Sequence, residues 1–104
     1  MRKNPFIENE NYIGFQSYLR ANFSSERSIR NYLCFVNSSV VSRVVGNLFN
    51  INSIYQIDDF ENLLKIYLGV KEDEDNIRLH RVYSAAISKY IRFRFPNKKL
   101  RESY

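Results

Sequence analysis

Cysteine and histidine each occur once in this sequence of 104 residues, which also contains only three glycines and two prolines. A single cysteine excludes an internal disulfide, and one cysteine with one histidine supplies too few soft ligands for a zinc site. Eight tyrosines and eight phenylalanines beside so little glycine and proline are not typical of a disordered chain. We therefore expect one compact domain, spanning residues 1–104, in a reducing and cytoplasmic setting.

Long apolar runs are missing too. No stretch approaches the roughly 20 apolar residues that a membrane-spanning helix needs. The first residues, Met1-Arg2-Lys3, are basic, but acids and amides follow where a signal peptide would have its apolar segment. The sequence therefore predicts a protein without a membrane partner.

The patterns that mark common enzymes and metal sites do not occur either. His80 has neither a nucleophile nor a metal ligand at useful spacing, and Cys34 has no nearby histidine to activate it. A glycine-rich phosphate loop is absent from the sequence, and the acidic run 71–75 lacks the alternating ligands of a calcium loop. We predict that the protein is not an enzyme and has no catalytic residue, metal, cofactor or small-molecule substrate.

The sequence is rich in charged residues, and these are unevenly distributed along it. The net charge is +5, from 16 Lys and Arg against 11 Asp and Glu. Residues 1–57 contribute +3, residues 58–75 contribute −5, and residues 76–104 contribute +7. A polyanion is expected to bind at the basic C-terminal third. The alternative is that this charge serves only solubility.

Apolar residues recur at spacings of three and four, which predicts helices. We expect an all-α fold, a compact bundle of four main helices, with an ordered core over about residues 9–95 and flexible termini. The valines of the second helix could instead form a short strand, and residues 48–57 form an ordered connection with room for one helical turn. The predicted helices run from Asn9 to Phe23, from Ser25 to about Val45, from a cap at Asp58 or Asp59 to Leu68 before Gly69, and from Asn76 or Ile77 to residues 93–95.

The last predicted helix carries the strongest functional signal. At 100° per residue, its apolar face consists of Leu79, Tyr83, Ala86, Tyr90 and Phe93. Four bases, separated by Ala85 and Ser88, fall within about 80° of arc on another side. Such a stripe can meet several phosphates of duplex DNA. The four bases are Arg78, Arg81, Lys89 and Arg92, and the charge continues at Arg94, Lys98, Lys99 and Arg101.

Two segments resemble a known family. Ser24-Ser25-Glu26-Arg27-Ser28-Ile29-Arg30-Asn31-Tyr32 is similar to the S-x-x-T-I-x-x-Y pattern that starts the second helix in the SAM-like core-binding domains of tyrosine recombinases and phage integrases. Ser28 stands where Thr is usual. The segment from His80 to Phe93 resembles the final helix of the related integrase-like helical domain found at the N-terminus of restriction-type and HNH endonucleases. The resemblance covers roughly residues 12–95.

This resemblance implies a SAM-like, integrase N-terminal type of fold and a mobile-element accessory module that grips double-stranded DNA beside a catalytic domain. The recombinase catalytic residues (an Arg, a His-x-x-Arg and a nucleophilic Tyr) belong to a second domain, and we expect no such domain here. We therefore expect a free-standing module, a truncated relic or a subunit of an enzyme whose catalytic part is encoded separately. The candidate DNA-binding residues are Arg27, Arg30, Arg78, Arg81, Lys89, Arg92, Lys98 and Lys99.

A second function stays open at this point. Opposed acidic and basic segments, with sixteen aromatic rings in a small fold, also suit a protein-interaction or self-association module without a role in nucleic-acid binding. Binding to an anionic membrane is disfavoured, because the last helix is expected to use its apolar face in the core.

Overall fold

The computed structural model describes residues 9–51 and 53–98, and within these ranges the chain forms helices and no strand. The predicted all-α class is therefore confirmed. The termini that the sequence predicts to be flexible consist mainly of residues that lie outside the described ranges. The elements are α1 (Glu10–Asn22), α2 (Glu26–Val36), α3 (Ser39–Phe49), a 3-10 turn (Ile54–Gln56), α4 (Phe60–Lys71), α5 (Glu74–Arg78) and α6 (Val82–Arg94).

Short polar side chains start several helices. The Asn9 side chain accepts hydrogen bonds from the amides of Asn11 and Tyr12, and Ser25 accepts from Ser28. Asp59 accepts from the amide of Asn62 at 3.2 Å and so begins α4. These contacts satisfy amides that have no partner within the first turn. The first predicted helix, the caps at Ser25 and Asp59, and the helical turn in the connection are confirmed. The predicted end at Leu68 is wrong, because α4 continues through Gly69 to Lys71.

The second predicted helix is wrong in its length, because it consists of two helices. The break lies at Asn37 and Ser38, where Ser38 is extended and its hydroxyl accepts from the amide of Val41 at 3.4 Å. Ser38 therefore caps a new helix instead of continuing the old one. The valines are helical rather than a strand, and α3 continues through Gly46 until the left-handed Asn50 ends it.

The last predicted helix is also two helices, α5 and α6, with residues 79–81 between them. His80 and Arg81 both have left-handed backbone, with φ of 60° and 63°. Residues other than glycine seldom adopt this conformation unless neighbouring contacts hold it in place. The contacts come from Asn76, which is 0% exposed.

Asn76 joins three parts of the chain through its amide. Its side-chain Oδ1 accepts from the amides of Tyr83 and Ser84 at 3.1 and 3.0 Å, and so caps α6 from the preceding helix. Its Nδ2 donates to Ser84 Oγ at 3.0 Å and to the carbonyl of Lys71, the last residue of α4, at 3.4 Å. Its own carbonyl accepts from the amide of Arg81 at 2.7 Å. The break between α5 and α6 follows from this network.

The helix α6 lies at the centre of the bundle and packs on α1, α2 and α4. The ring of Tyr90, 0% exposed, meets the rings of Phe15 and Tyr55 edge-on at centroid distances of 5.2 and 5.4 Å. Such edge-to-face pairs stabilise a core beyond their buried area. Desolvation in this core raises the pKa of Tyr90.

The inward face of α6 differs in part from the predicted one. Tyr90 and Ala86 are buried as predicted, but Leu79 is 41% exposed because it belongs to the link before α6. Ile87 and Ile91 are buried beside them. On the far side of the core, α1 approaches α6 at Gly14, where a Cβ would lie 2.7 Å from the tip of the Phe93 ring.

The Asn76 network predicts a large cost for removing its side chain. Asn76→Ala leaves the amides of Tyr83 and Ser84 without their acceptor and Ser84 Oγ without the donor Nδ2, and we expect it to lower the free energy of unfolding by about 2–4 kcal/mol. Asn76→Asp keeps an oxygen acceptor for the two amides, but it removes the Nδ2 donor and places a carboxylate in the interior beside the carbonyl of Lys71, so it should also lower the free energy of unfolding. Urea denaturation measures both variants. A loss below about 0.5 kcal/mol for Asn76→Ala would contradict this role.

Candidate nucleic-acid interface

The outward side of α6 combines small and basic residues. Ser84, Ala86, Ile87, Tyr90 and Ile91 face the core, so the opposite side of the helix is the one that meets solvent. Ala85 and Arg92 on that side are exposed, and Ser88 and Lys89 are partly exposed. Lys89 and Arg92 lie one turn apart, as the sequence predicts, since both belong to the same unbroken helix.

The predicted four-residue stripe on one helix is wrong. Arg78 belongs to α5, and its guanidinium pairs with Asp75 at 2.8 Å. Arg81 lies in the left-handed link, directly before the first residue of α6, and is exposed. The break at residues 79–81 changes the rotation of α6 relative to α5. Helical angles counted at 100° per residue from Arg78 to Arg92 therefore do not describe the structure. Three of the four cations, Arg81, Lys89 and Arg92, remain at the start of α6 and along it.

Lys89 is held by an aromatic ring of the neighbouring helices. Its Nζ lies 5.5 Å from the centroid of Phe23, and the Phe23 ring contacts Tyr32 of α2 at 5.3 Å. An ammonium over an aromatic face gains roughly 0.5–1 kcal/mol at an exposed site. The contact fixes the position of the charge without neutralising it.

The remaining predicted residues are spread over other surfaces. Arg27 and Arg30 are both exposed on α2, which packs on α6. Lys98 follows α6, and its Nζ lies 5.1 Å from the ring of Phe60 at the start of α4. Lys99 lies outside the described residues.

Carboxylates of the acidic segment pair with other arginines. Arg43 Nη2 lies 2.7 Å from Asp73 Oδ2 and 3.4 Å from Asp75 Oδ2, which ties α3 to α5. Arg94 contacts Asp58 at 2.9 Å and also donates to the carbonyl of Ile57 at 2.8 Å. Arg43, Arg78 and Arg94 are thus each paired with an aspartate. Because Arg94 contacts both Ile57 and Asp58, it also holds the chain that follows the 3-10 turn in place.

Two open depressions flank the exposed side of α6. The first, which we call the α2–α6 groove, has a volume of about 220 Å³ and is lined by Ser28, Asn31, Tyr32, Phe35, Val82 and Ala85. The second, which we call the α4–α6 cleft, has a volume of about 430 Å³ and is lined by Tyr67, Lys71, Arg81, Ser84, Ala85 and Ser88. Ala85 contributes to both, since its small side chain leaves α6 accessible from either side.

Sequence reasoning missed Lys71 as a candidate residue. It falls in the acidic run 71–75, which suggests a solvated turn. In the structure Lys71 ends α4 and lines the α4–α6 cleft together with Arg81. Its spacing of four residues from Tyr67 places both on one side of α4, but only the packing of α4 on α6 brings that side to Arg81.

The part of the chain that the structure describes contains no candidate metal site. Within residues 9–51 and 53–98, no three His, Cys, Asp or Glu side chains come together as metal ligands. Cys34 and His80 are exposed. In the same ranges, no helix has the combination of length and apolar character that would let it cross a bilayer.

Comparison of the chain with protein-family models, with curated proteins and with solved structures gave no match in any of the three.

The Arg43–Asp73 pair predicts a pH dependence of stability. The hydrogen bond from Arg43 is the main reason that the pKa of Asp73 lies below its ordinary value near 3.8. A lowered pKa contributes stability above the unfolded pKa, and this contribution is lost as the pH falls through the folded value. Asp73→Asn keeps the side-chain oxygen that caps α5 but removes the charge, so its stability should fall less steeply than that of the wild type below about pH 4.

Chemical denaturation between pH 5 and pH 2 measures this difference. Arg43→Gln removes the pair from its other side and should give the same shallower profile. Parallel profiles for the wild type and both variants would show that the pair does not act on stability.

Proposed function

We propose that this domain is a non-catalytic DNA-binding module that contacts the phosphate backbone of a duplex through the exposed side of α6. The supporting observation is a basic face, which we define as Lys71, Arg81, Lys89 and Arg92. Lys71 and Arg81 line one cleft with Ala85 and Ser88, and Lys89 and Arg92 continue along the same exposed side of α6. Arg27 and Arg30 add positive charge on the adjacent α2.

The dimensions of this face suit a polyanion. From Arg81 to Arg92 the chain advances about 16 Å at 1.5 Å per helical residue. Duplex DNA carries one charge for about every 1.7 Å of its axis, so several phosphates come within reach. Ala85 and Ser88 are small, and they let the backbone of the duplex approach α6 closely. Contacts of this kind position a protein on DNA without reading its sequence.

The resemblance of Ser25–Tyr32 and His80–Phe93 to recombinase core-binding and integrase-like domains supports the same proposal. By that resemblance the module acts in the cytoplasm as an accessory to the chemistry of a mobile element, and a separate catalytic subunit cuts or joins the strands. The double-stranded DNA is the partner, and no cofactor or small molecule takes part.

Neutralising two cations of the basic face tests the proposal. Loss of two phosphate contacts makes the negative slope of log K against log salt concentration shallower by about 1.8. We expect this reduction for the double variant Lys89→Gln, Arg92→Gln, measured by filter binding or fluorescence anisotropy on a random duplex between 50 and 200 mM salt.

The matched control is Arg20→Gln with Lys65→Gln, which removes the same charge from exposed positions on α1 and α4. This control should keep the wild-type slope. Circular dichroism should show unchanged helix content in both double variants. Equal slopes for the two double variants would reject the assignment of DNA binding to α6.

The α2–α6 groove favours a second candidate, a module that binds a protein or a second copy of itself. The groove is lined by the rings of Tyr32 and Phe35 and by Val82, and it could hold an apolar side chain of a partner. Light scattering at low and moderate salt separates the two functions. The DNA-binding proposal predicts a monomer at both, whereas a salt-independent dimer without duplex affinity would favour the second candidate.

A further inference from the structure

We propose that the α4–α6 cleft is a phosphate site, in which Lys71 and Arg81 hold one phosphate group. This inference rests on the proposed function, because a backbone phosphate of bound DNA is the phosphate that reaches the cleft while the rest of α6 faces the duplex. The helical periodicity of the last predicted helix cannot predict this site, since Lys71 belongs to α4.

The lining of the cleft has the chemistry of an anion site. Its six residues are two cations, two serines, a tyrosine and an alanine. Arginine can donate two parallel hydrogen bonds to phosphate oxygens, and lysine adds a mobile point charge. Ser84 already donates from its hydroxyl to the carbonyl of Arg81 at 3.1 Å. Of the two serines, Ser88 is therefore the one whose hydroxyl we assign to the phosphate.

The buried amide of Asn76 preorganises this lining. Its Nδ2 donates to the carbonyl of Lys71 and its Oδ1 accepts from the amide of Ser84, while the backbone carbonyl of Asn76 accepts from the amide of Arg81. Three of the six lining residues are thus anchored to one residue that is 0% exposed. A site held in this way loses little conformational entropy when an anion binds.

The left-handed link at His80 and Arg81 also preorganises the lining of the cleft. With φ of 63°, Arg81 adopts a conformation that a residue other than glycine disfavours, and His80 before it does the same at 60°. The chain turns sharply at this link and leads into α6 with Arg81 at the edge of the cleft. Glycine would form the link at lower cost, yet it would supply no cation.

This link provides a pair of matched variants. Arg81→Gly removes the cation, and His80→Gly makes the same backbone change at a residue outside the cleft lining. Because glycine favours the left-handed conformation, neither variant should have a lower Tm than the wild type. A second pair, Lys71→Gln and Lys65→Gln, makes the same charge change at two positions of α4, of which only the first lines the cleft.

The first arm of the experiment measures binding of a random 20-base-pair duplex. Losing this one phosphate contact makes the log–log slope shallower by up to about 0.9 and lowers the affinity by up to roughly tenfold at 0.1 M salt, and each single variant leaves one of its two cations. We expect these losses for Arg81→Gly and for Lys71→Gln, and wild-type values for His80→Gly and Lys65→Gln. Equal slopes within each pair, together with the reduced slope of the Lys89, Arg92 double variant, would overturn the cleft and leave the proposed function standing.

The second arm follows the amide signals of Ser84, Ala85 and Ser88 by NMR during titration with inorganic phosphate, against sodium chloride at the same ionic strength. Phosphate-specific shifts that disappear in Arg81→Gly support the cleft. If they occur in a protein that does not bind the duplex, the site takes a free phosphate and the proposed function fails alone. Shifts that match those with chloride, in a protein whose paired variants bind DNA equally, overturn the cleft.

Discussion

Asn76 lies in the middle of α5 and is a fully buried amide that connects this helix to the last turn of α4 and the start of α6. A polar group in the interior must form its hydrogen bonds or cost free energy, and here the bonds that satisfy it also set the course of the chain. Because Asn76 caps α6 from outside, α6 begins anew at Val82 with its own rotation. That rotation turns Tyr90 inward and Lys89 and Arg92 outward.

Helical periodicity was enough to predict the all-α class, the first helix and the start of α4, because these features depend on local spacing and on short polar caps. It was not enough to find the two breaks. Apolar residues recur at spacings of three and four on both sides of Ser38, so the pattern passes through the break unchanged. Asn76 resembles any polar residue of an exposed helix until α6 packs over it.

The same reasons explain which candidate residues lie on one face of α6, as predicted, and which do not. Lys89 and Arg92 are three residues apart within one helix, so their relation depended only on helical geometry. Arg78 was counted across a break and instead pairs with Asp75 on an exposed surface. Lys71 could not be found at all from its surroundings in the sequence, since Asp and Glu dominate them and its neighbour in the cleft is Arg81, ten residues away.

Ion pairs with acidic residues engage three arginines of the described part of the chain. Asp73 and Asp75 engage Arg43 and Arg78, and Asp58 engages Arg94. We propose that the basic face along α6 binds a polyanion. The most direct measurement is the salt dependence of wild-type binding to a duplex of random sequence. Three phosphate contacts, one of them shared by Lys71 and Arg81, predict a log–log slope of about −2.7, and a slope near zero would contradict DNA binding by α6.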